Sequence, residues 1–174
     1  MSDIPDMQIG HIGLFVENLP KMREFYTDVL GFRVTDEGKG SVAEMAFLSR
    51  NPDEHHQIVL ATGRPENTFS VVNQISFRVN ALSDLRMMRD RVVAAGAKNV
   101  RPTDHGNAWS VYFLDPEGNR LEVYMATPWY VVQPYGVPLD LEKSDEDIFT
   151  DCETNAKSRP GYMSADDWRD AAFS

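Results

Sequence analysis

Apolar residues alternate at Ile12, Leu14 and Val16, the two-residue period of a half-buried strand. Leu19, Met22, Phe25, Tyr26, Val29 and Leu30 then follow at the three-and-four spacing of a helix with one apolar face. The succession returns at an offset of 63 residues, where His11-Ile-Gly-Leu-Phe-Val-Glu-Asn-Leu19 aligns with Gln74-Ile-Ser-Phe-Arg-Val-Asn-Ala-Leu82. Ile75, Phe77 and Val79 repeat the strand, and Leu82, Leu85, Met88 and Val92 repeat the helical stripe. Pro20 suits a first helical turn, Ser83 is the expected N-cap of the second helix, and Gly31 and Gly96 are placed to turn the chain back after each helix.

Three further strand-like stretches follow each helix: 32–35, 41–49 and 56–61 in the first half, then 99–102, 108–114 and 120–124 in the second. Turn signals punctuate them at Gly38-Lys-Gly40, Asn51-Pro-Asp53, His105-Gly-Asn107 and Asp115-Pro-Glu-Gly-Asn119. The pattern predicts an α+β protein of two βαβββ modules, about 7–62 and 72–126, forming a cupped mixed sheet around one site. These make a domain over 1–127. From Pro128 the periodicity ends. Pro128, Pro134 and Pro138 mark extended chain, and Ser144 and Ser164 each precede an acidic helix start. This acidic tail, 128–174, holds ten acids against four bases, a net −6 of the total −10. It is expected to be a solvated arm that wraps a partner subunit through Trp129, Tyr130 and Tyr135, or to be disordered at its far end.

Composition narrows the function. At 174 residues, with 42% hydrophobic and 25% charged positions, the chain suits a globular domain, and no apolar run approaches membrane-spanning length. A net charge of −10 repels nucleic acid and anionic membrane surfaces. Met1 to Met7 lacks the basic start and apolar core of a signal peptide, and the single Cys152 suits a reducing, cytoplasmic setting.

Histidine is scarce, at positions 11, 55, 56 and 105. His11 opens the first strand of the first module, and Glu122 lies in the last strand of the second, within Asn119-Arg-Leu-Glu-Val-Tyr124. A glutamate among apolar strand residues is costly to bury unless it is paired or ligates a metal. Each residue alone has an ordinary explanation: a hydrogen-bonded strand end for His11, an outward strand position for Glu122. Together, at symmetry-related ends of a repeat, they point to metal ligation. Gln74 is the repeat partner of His11, and Gln57 is the expected partner of Glu122. Imidazole and carboxylate suit divalent iron or manganese, with an amide oxygen as a weaker ligand.

From about Gln8 to Trp129 the chain resembles the vicinal-oxygen-chelate superfamily. Within it, it is most similar to the single-domain type I extradiol ring-cleaving dioxygenases, akin to dihydroxybiphenyl dioxygenases. The resemblance rests on His11-Ile-Gly-Leu-Phe-Val16, Phe25-Tyr-Thr-Asp-Val-Leu-Gly-Phe32, His55-His-Gln-Ile-Val-Leu60 and the run from His105 to Glu122. It implies Fe(II), with Mn(II) as the alternative, held by His11 and Glu122. It further implies His56 as acid–base residue, and His105 and Tyr112 as hydrogen-bond donors to the substrate. The implied substrates are an aromatic diol and O₂, and the implied assembly is a homodimer. Trp109, Phe113 and Tyr124 are candidates for ring contacts, with sheet packing as their alternative role.

One position departs from the family pattern. Gln74 stands where a second histidine ligand is expected. Gln74 itself ligates, or Gln57 or His55 completes the shell, or the chain binds little metal and has lost ring cleavage. Two rivals therefore stand beside the dioxygenase: a glyoxalase- or epimerase-like isomerase, and a non-catalytic small-molecule binding or resistance protein of the same fold.

Overall fold

The computed structural model describes residue 5 and residues 7–174. Residues 1–4 and 6, part of the stretch assessed for a leader, lie outside them. The chain divides into two compact units, 1–69 and 70–174.

In the first unit β1 (Ile12–Val16) leads into α1 (Leu19–Glu24), which continues as a π-helical turn (Phe25–Val29). β2 (Arg33–Lys39), β3 (Glu44–Ser49) and β4 (Ile58–Thr62) follow, and the sheet order is β1-β4-β3-β2. β1 runs parallel to β4, and the other pairs are antiparallel. Asn18 caps α1, its side-chain oxygen accepting from the Lys21 N–H at 3.0 Å, and Pro20 occupies the first turn. Gly31 ends the helical span at φ +75°, a conformation that costs a side-chain-bearing residue about 1 kcal/mol. Leu14, Val16, Met22, Tyr26, Leu30, Leu48, Ile58 and Leu60 are buried, so one sheet face packs on the predicted helical stripe.

The second unit repeats the plan. β5 (Ile75–Arg78), α2 (Leu82–Ala94), β6 (Lys98–Asp104), β7 (Ala108–Leu114) and β8 (Arg120–Ala126) form a sheet ordered β10-β6-β7-β8-β5, with β10 (Val137–Pro138) added at its edge. β5 is parallel to β8, as β1 is to β4. The strands are thus hydrogen-bonded as two mixed sheets, one per module. The cap of α2 differs from expectation: Ala81 is the N-cap without a side-chain hydrogen bond, and Ser83 lies inside the helix.

Register sharpens the repeat. Ile12 faces Ile58 and Ile75 faces Leu121, so the offset of 63 holds at both ends of the module. α2 is two residues longer than the first unit's α and π segments together, and between the equivalent register pairs Leu48–Ile58 and Phe113–Leu121 the β3–β4 connection is two residues longer than its counterpart. The two length changes cancel.

The tail is not a solvated arm. β9 (Trp129–Tyr130), α3 (Asp145–Lys157), β11 (Met163–Ser164) and α4 (Ala165–Phe173) belong to the second unit. Ser144 and Ser164 cap the two helices as predicted, each accepting an N–H three residues on. Trp129, Val131, Leu141, Ile148, Cys152 and Ala156 are buried. Trp129 packs edge-on to Trp109 and Phe149, and Tyr130 stacks on Trp168. The aromatics assigned to a partner subunit are therefore engaged within the chain. The acidic character of this segment is answered by α2: Arg89 pairs with Glu142, while Arg86 reaches Asp145 at 2.5 Å and the carbonyls of Leu141 and Lys143 at 2.8 Å each. Among the described residues no helix is long and apolar enough to cross a membrane.

Arg86 therefore clamps the tail. Arg86→Ala is expected to lower unfolding stability by roughly 2 kcal/mol, because half-shielded hydrogen bonds from a charged donor are lost. Urea denaturation reads this directly, and a change under about 0.5 kcal/mol, the range of an ordinary surface substitution, would contradict the clamp.

Candidate functional site

In each sheet, residues two apart share a face. One face of the second sheet is core, carrying Trp109, Val111, Phe113, Leu121 and Val123. The other carries polar groups in rows set by the register. Arg101, Tyr112, Glu122 and Ser76 lie side by side across β6, β7, β8 and β5, and Thr103, Ser110, Tyr124 and Arg78 form the next row. An open pocket of about 390 Å³ sits on this face, lined in part by Ser76, His105, Tyr112, Glu122, Tyr124 and Gln133.

Glu122 is the centre of the arrangement. Only 6% of it is exposed, so its carboxylate is largely removed from water. Two donors compensate: the Gln74 amide at 2.9 Å and the Ser76 hydroxyl at 2.5 Å, both on the same carboxylate oxygen. The two donors also bond to each other, Gln74 to Ser76 at 3.1 Å. Hydrogen bonds to an ionised acceptor are the strong kind, and here they stand in for a cation.

Tyr112, directly opposite Glu122 in the register, meets His105 Nε2 at 2.9 Å. Burial, reinforced by hydrogen bonding and charge from Glu122, pushes the Tyr112 phenol up to about 12. It is a neutral hydroxyl at any physiological pH. His105 is fixed at its other nitrogen by the Tyr135 carbonyl at 2.6 Å. Its loop is held beneath by Asp104, whose carboxylate accepts from the Gly106 N–H at 2.7 Å and is raised from the ordinary value chiefly by burial.

In the first unit His11 and His56 stand just before β1 and β4, outside the strands that the sequence assigned them to. Their rings are 4.3 Å apart between centroids, and His56 also meets Phe47 edge-on at 5.2 Å. The Nδ1 atoms of His55 and His56 lie 2.9 Å apart, within hydrogen-bond distance. Burial, then repulsion from His11 and from His55, lowers the His56 pKa below 6.5, with Glu54 opposing.

The structure thus groups Gln74, His105, Tyr112 and Glu122 in the second unit, and His11 with His55 and His56 in the first. Gln57 needs correction. Register pairs Gly13 with Val59 and Ser76 with Glu122, so Val59, not Gln57, occupies the repeat position of Glu122. The Gln57 side chain instead accepts from the Arg50 N–H at 3.0 Å, closing the β3–β4 turn. Trp109 and Phe113 lie on the core face, so packing is their role, while Tyr124 lines the pocket. Ser76 and Gln133 were missed. Strand parity with Gln74 was a usable signal for Ser76; nothing local marks Gln133.

The donor chemistry fits a hard divalent cation. Among the described residues no group of three or more His, Cys, Asp or Glu is arranged to hold one. In the second unit the neighbour of Glu122 is an amide, Gln74, rather than a further residue of those types. Glu122 and Gln74 already touch, and rotating the Gln74 amide would turn its oxygen toward an ion.

Two βαβββ modules at constant offset, with a buried carboxylate on an open sheet face, define a duplicated-module α+β protein. The chain belongs to the glyoxalase/bleomycin resistance protein/dioxygenase superfamily, whose family model matches residues 8–123. It is 33% identical over 134 residues to biphenyl-2,3-diol 1,2-dioxygenase 3 of Rhodococcus globerulus, covering 70% of this chain and 66% of that one. It is 26% identical over 151 residues to biphenyl-2,3-diol 1,2-dioxygenase 2 of the same organism, covering 76% and 77%. The crystal structure of a glyoxylase/bleomycin resistance protein/dioxygenase domain from Frankia sp. EAN1pec matches with a TM-score of 0.63 at 25% identity, over 71% of this chain and all of that one.

The Tyr112 environment is testable by alkaline titration. At pH 10, the ordinary tyrosine midpoint, the ultraviolet difference between wild type and Tyr112→Phe should show almost no phenolate from this ring. Half-ionisation there would contradict the buried, carboxylate-flanked placement.

Proposed function

We propose that the protein is a divalent-metal-dependent extradiol dioxygenase. It would break the ring bond beside the hydroxyls of a catechol-like aromatic and place both atoms of O₂ in the product. The observation that carries this reading is the buried Glu122 carboxylate with Gln74 beside it on an open sheet face. Sequence kinship to biphenyl-diol dioxygenases supports it. His11, Gln74 and Glu122 hold the ion, Fe(II) in the first instance and Mn(II) as the alternative. When bound, the ion supplies Lewis-acid polarisation of the two vicinal oxygens and brings diol and O₂ together.

The chain's own residues do the rest. His56, neutral near pH 7 because burial and the neighbouring histidines lower its pKa, accepts a proton from a diol hydroxyl and later returns it. Tyr112 presents its hydroxyl to the pocket, and Tyr124 lines the wall. Val59 at the repeat position of Glu122 has no proton to move, which disfavours an isomerase that needs a second carboxylate there.

Oxygen uptake after anaerobic Fe(II) reconstitution, with a panel of substituted catechols, tests the proposal. Uptake with a yellow ring-opened product is expected, and its absence across the panel with tight diol binding would favour a binding protein instead. His56→Asn should cost kcat/KM about 10²–10⁴-fold. In the wild type the acidic limb of the rate profile should fall below pH 6.5, because His56 gives up its proton more readily than an ordinary histidine. A limb at or above 6.5 contradicts His56 as the base.

A further inference from the structure

The chain from 131 to 136, at the start of the tail, crosses over the His105 loop. Hydrogen bonds and close packing fix it there. The Gln133 amide donates to the His105 carbonyl at 2.7 Å and to the Asn107 side-chain oxygen at 3.3 Å, while its own oxygen accepts from the Tyr135 N–H at 3.1 Å. Val131 lies so close to Gly106 that a Cβ on that glycine would come within 2.3 Å of its methyl group, and Gly106 sits at φ +74°. Gly136 faces the His105 ring itself, with room for no more than van der Waals contact. From outside, the Arg159 guanidinium covers the Tyr135 ring at 4.7 Å.

These contacts deliver one backbone carbonyl, that of Tyr135, to His105 Nδ1 at 2.6 Å. A carbonyl only accepts, so Nδ1 must carry the hydrogen. In the neutral ring Nε2 is then a bare lone pair, and its partner at 2.9 Å is the Tyr112 hydroxyl. The phenol proton has two acceptors within reach, His105 and Glu122. One Glu122 oxygen already receives hydrogens from Gln74 and Ser76. With Nδ1 carrying the ring hydrogen, a bare Nε2 and the phenol oxygen at 2.9 Å would face lone pair to lone pair unless the phenol proton lies between them, so in the neutral ring the proton goes to His105.

We propose that the 131–136 strap, pinned by Gln133, is a positioning device that holds His105 as its Nδ1–H tautomer with Nε2 committed to Tyr112. Gln133 is a positioning residue, since it acts through His105. One consequence revises the expectation from sequence: His105 and Tyr112 are not two independent donors to substrate but one oriented pair. The pair's part in ring cleavage rests on the proposed function; the tautomer does not.

The test is ¹⁵N NMR of the histidine side chains at about pH 8, above the ordinary histidine range, with His105 assigned by its absence in His105→Asn. Protonated and bare imidazole nitrogens differ widely in shift, so the tautomer is read directly. Wild type should show Nδ1–H alone. Gln133→Met keeps the bulk and removes every hydrogen bond, and should shift His105 toward a mixture rich in Nε2–H while circular dichroism stays native. Tyr112→Phe should retain Nδ1–H, because the Tyr135 carbonyl remains. Wild type in the Nε2–H form, an unchanged tautomer in Gln133→Met, or loss of Nδ1–H in Tyr112→Phe each overturns the proposal. If Gln133→Met does not fold, wild type and Tyr112→Phe decide. Where wild type cleaves a diol, Gln133→Met should lose about 10²-fold in kcat with little change in KM. Absence of cleavage in wild type sinks the proposed function and leaves the tautomer result standing.

Discussion

A carboxylate held at 6% exposure in the middle of a sheet is the constraint around which the second unit is organised. Leaving such a charge without partners costs several kcal/mol, so its neighbours are not free to vary. The parallel pairing of β5 with β8 sets Ser76 opposite Glu122, and strand parity then brings Gln74 onto the same face. The antiparallel pairing of β7 with β8 sets Tyr112 on the other flank. A one-residue slip in either register would send Glu122 into the packed face with Leu121 and Val123 and break every one of these contacts.

The two units solve the same folding problem and differ in what they place on the open face. In the first, the position equivalent to Glu122 is aliphatic, and the histidines His11 and His56 stand just before strands. In the second, the carboxylate is in mid-strand and the histidine is on a loop. That loop is stabilised by Asp104 below and by the tail above, so the segment after the second module is part of the site's construction. Arg86 and Arg89 of α2 hold this segment by charge, while Ile148, Cys152 and Ala156 hold it by burial.

Most of the fold was legible in the chain itself, because periods of two and 3.6 residues survive duplication. β7 came out with its predicted bounds, and both serine-capped tail helices were found from their first turns. Ser83 misled because a good capping residue lay two residues too late, and α2 starts at Leu82 to keep its apolar stripe on the sheet. Gln57 misled because a shift was allowed for the longer β3–β4 turn, whereas the longer α2 had already absorbed it. The tail was misread for a different reason. Its acidity suggests solvation, and only the tertiary structure reveals the arginines that answer it. Gln133 was beyond reach, since its importance lies in a loop 28 residues earlier.

The central claim is that Glu122, Gln74 and His11 share a divalent cation. Metal content after anaerobic Fe(II) reconstitution and desalting tests it most directly, compared among wild type, His11→Ala, Glu122→Gln and Gln74→His. The account predicts a stoichiometric ion in wild type, its loss in the first two variants and firmer retention in Gln74→His, where an imidazole replaces the weaker amide. Wild type without bound ion, or His11→Ala retaining iron as wild type does, would contradict it.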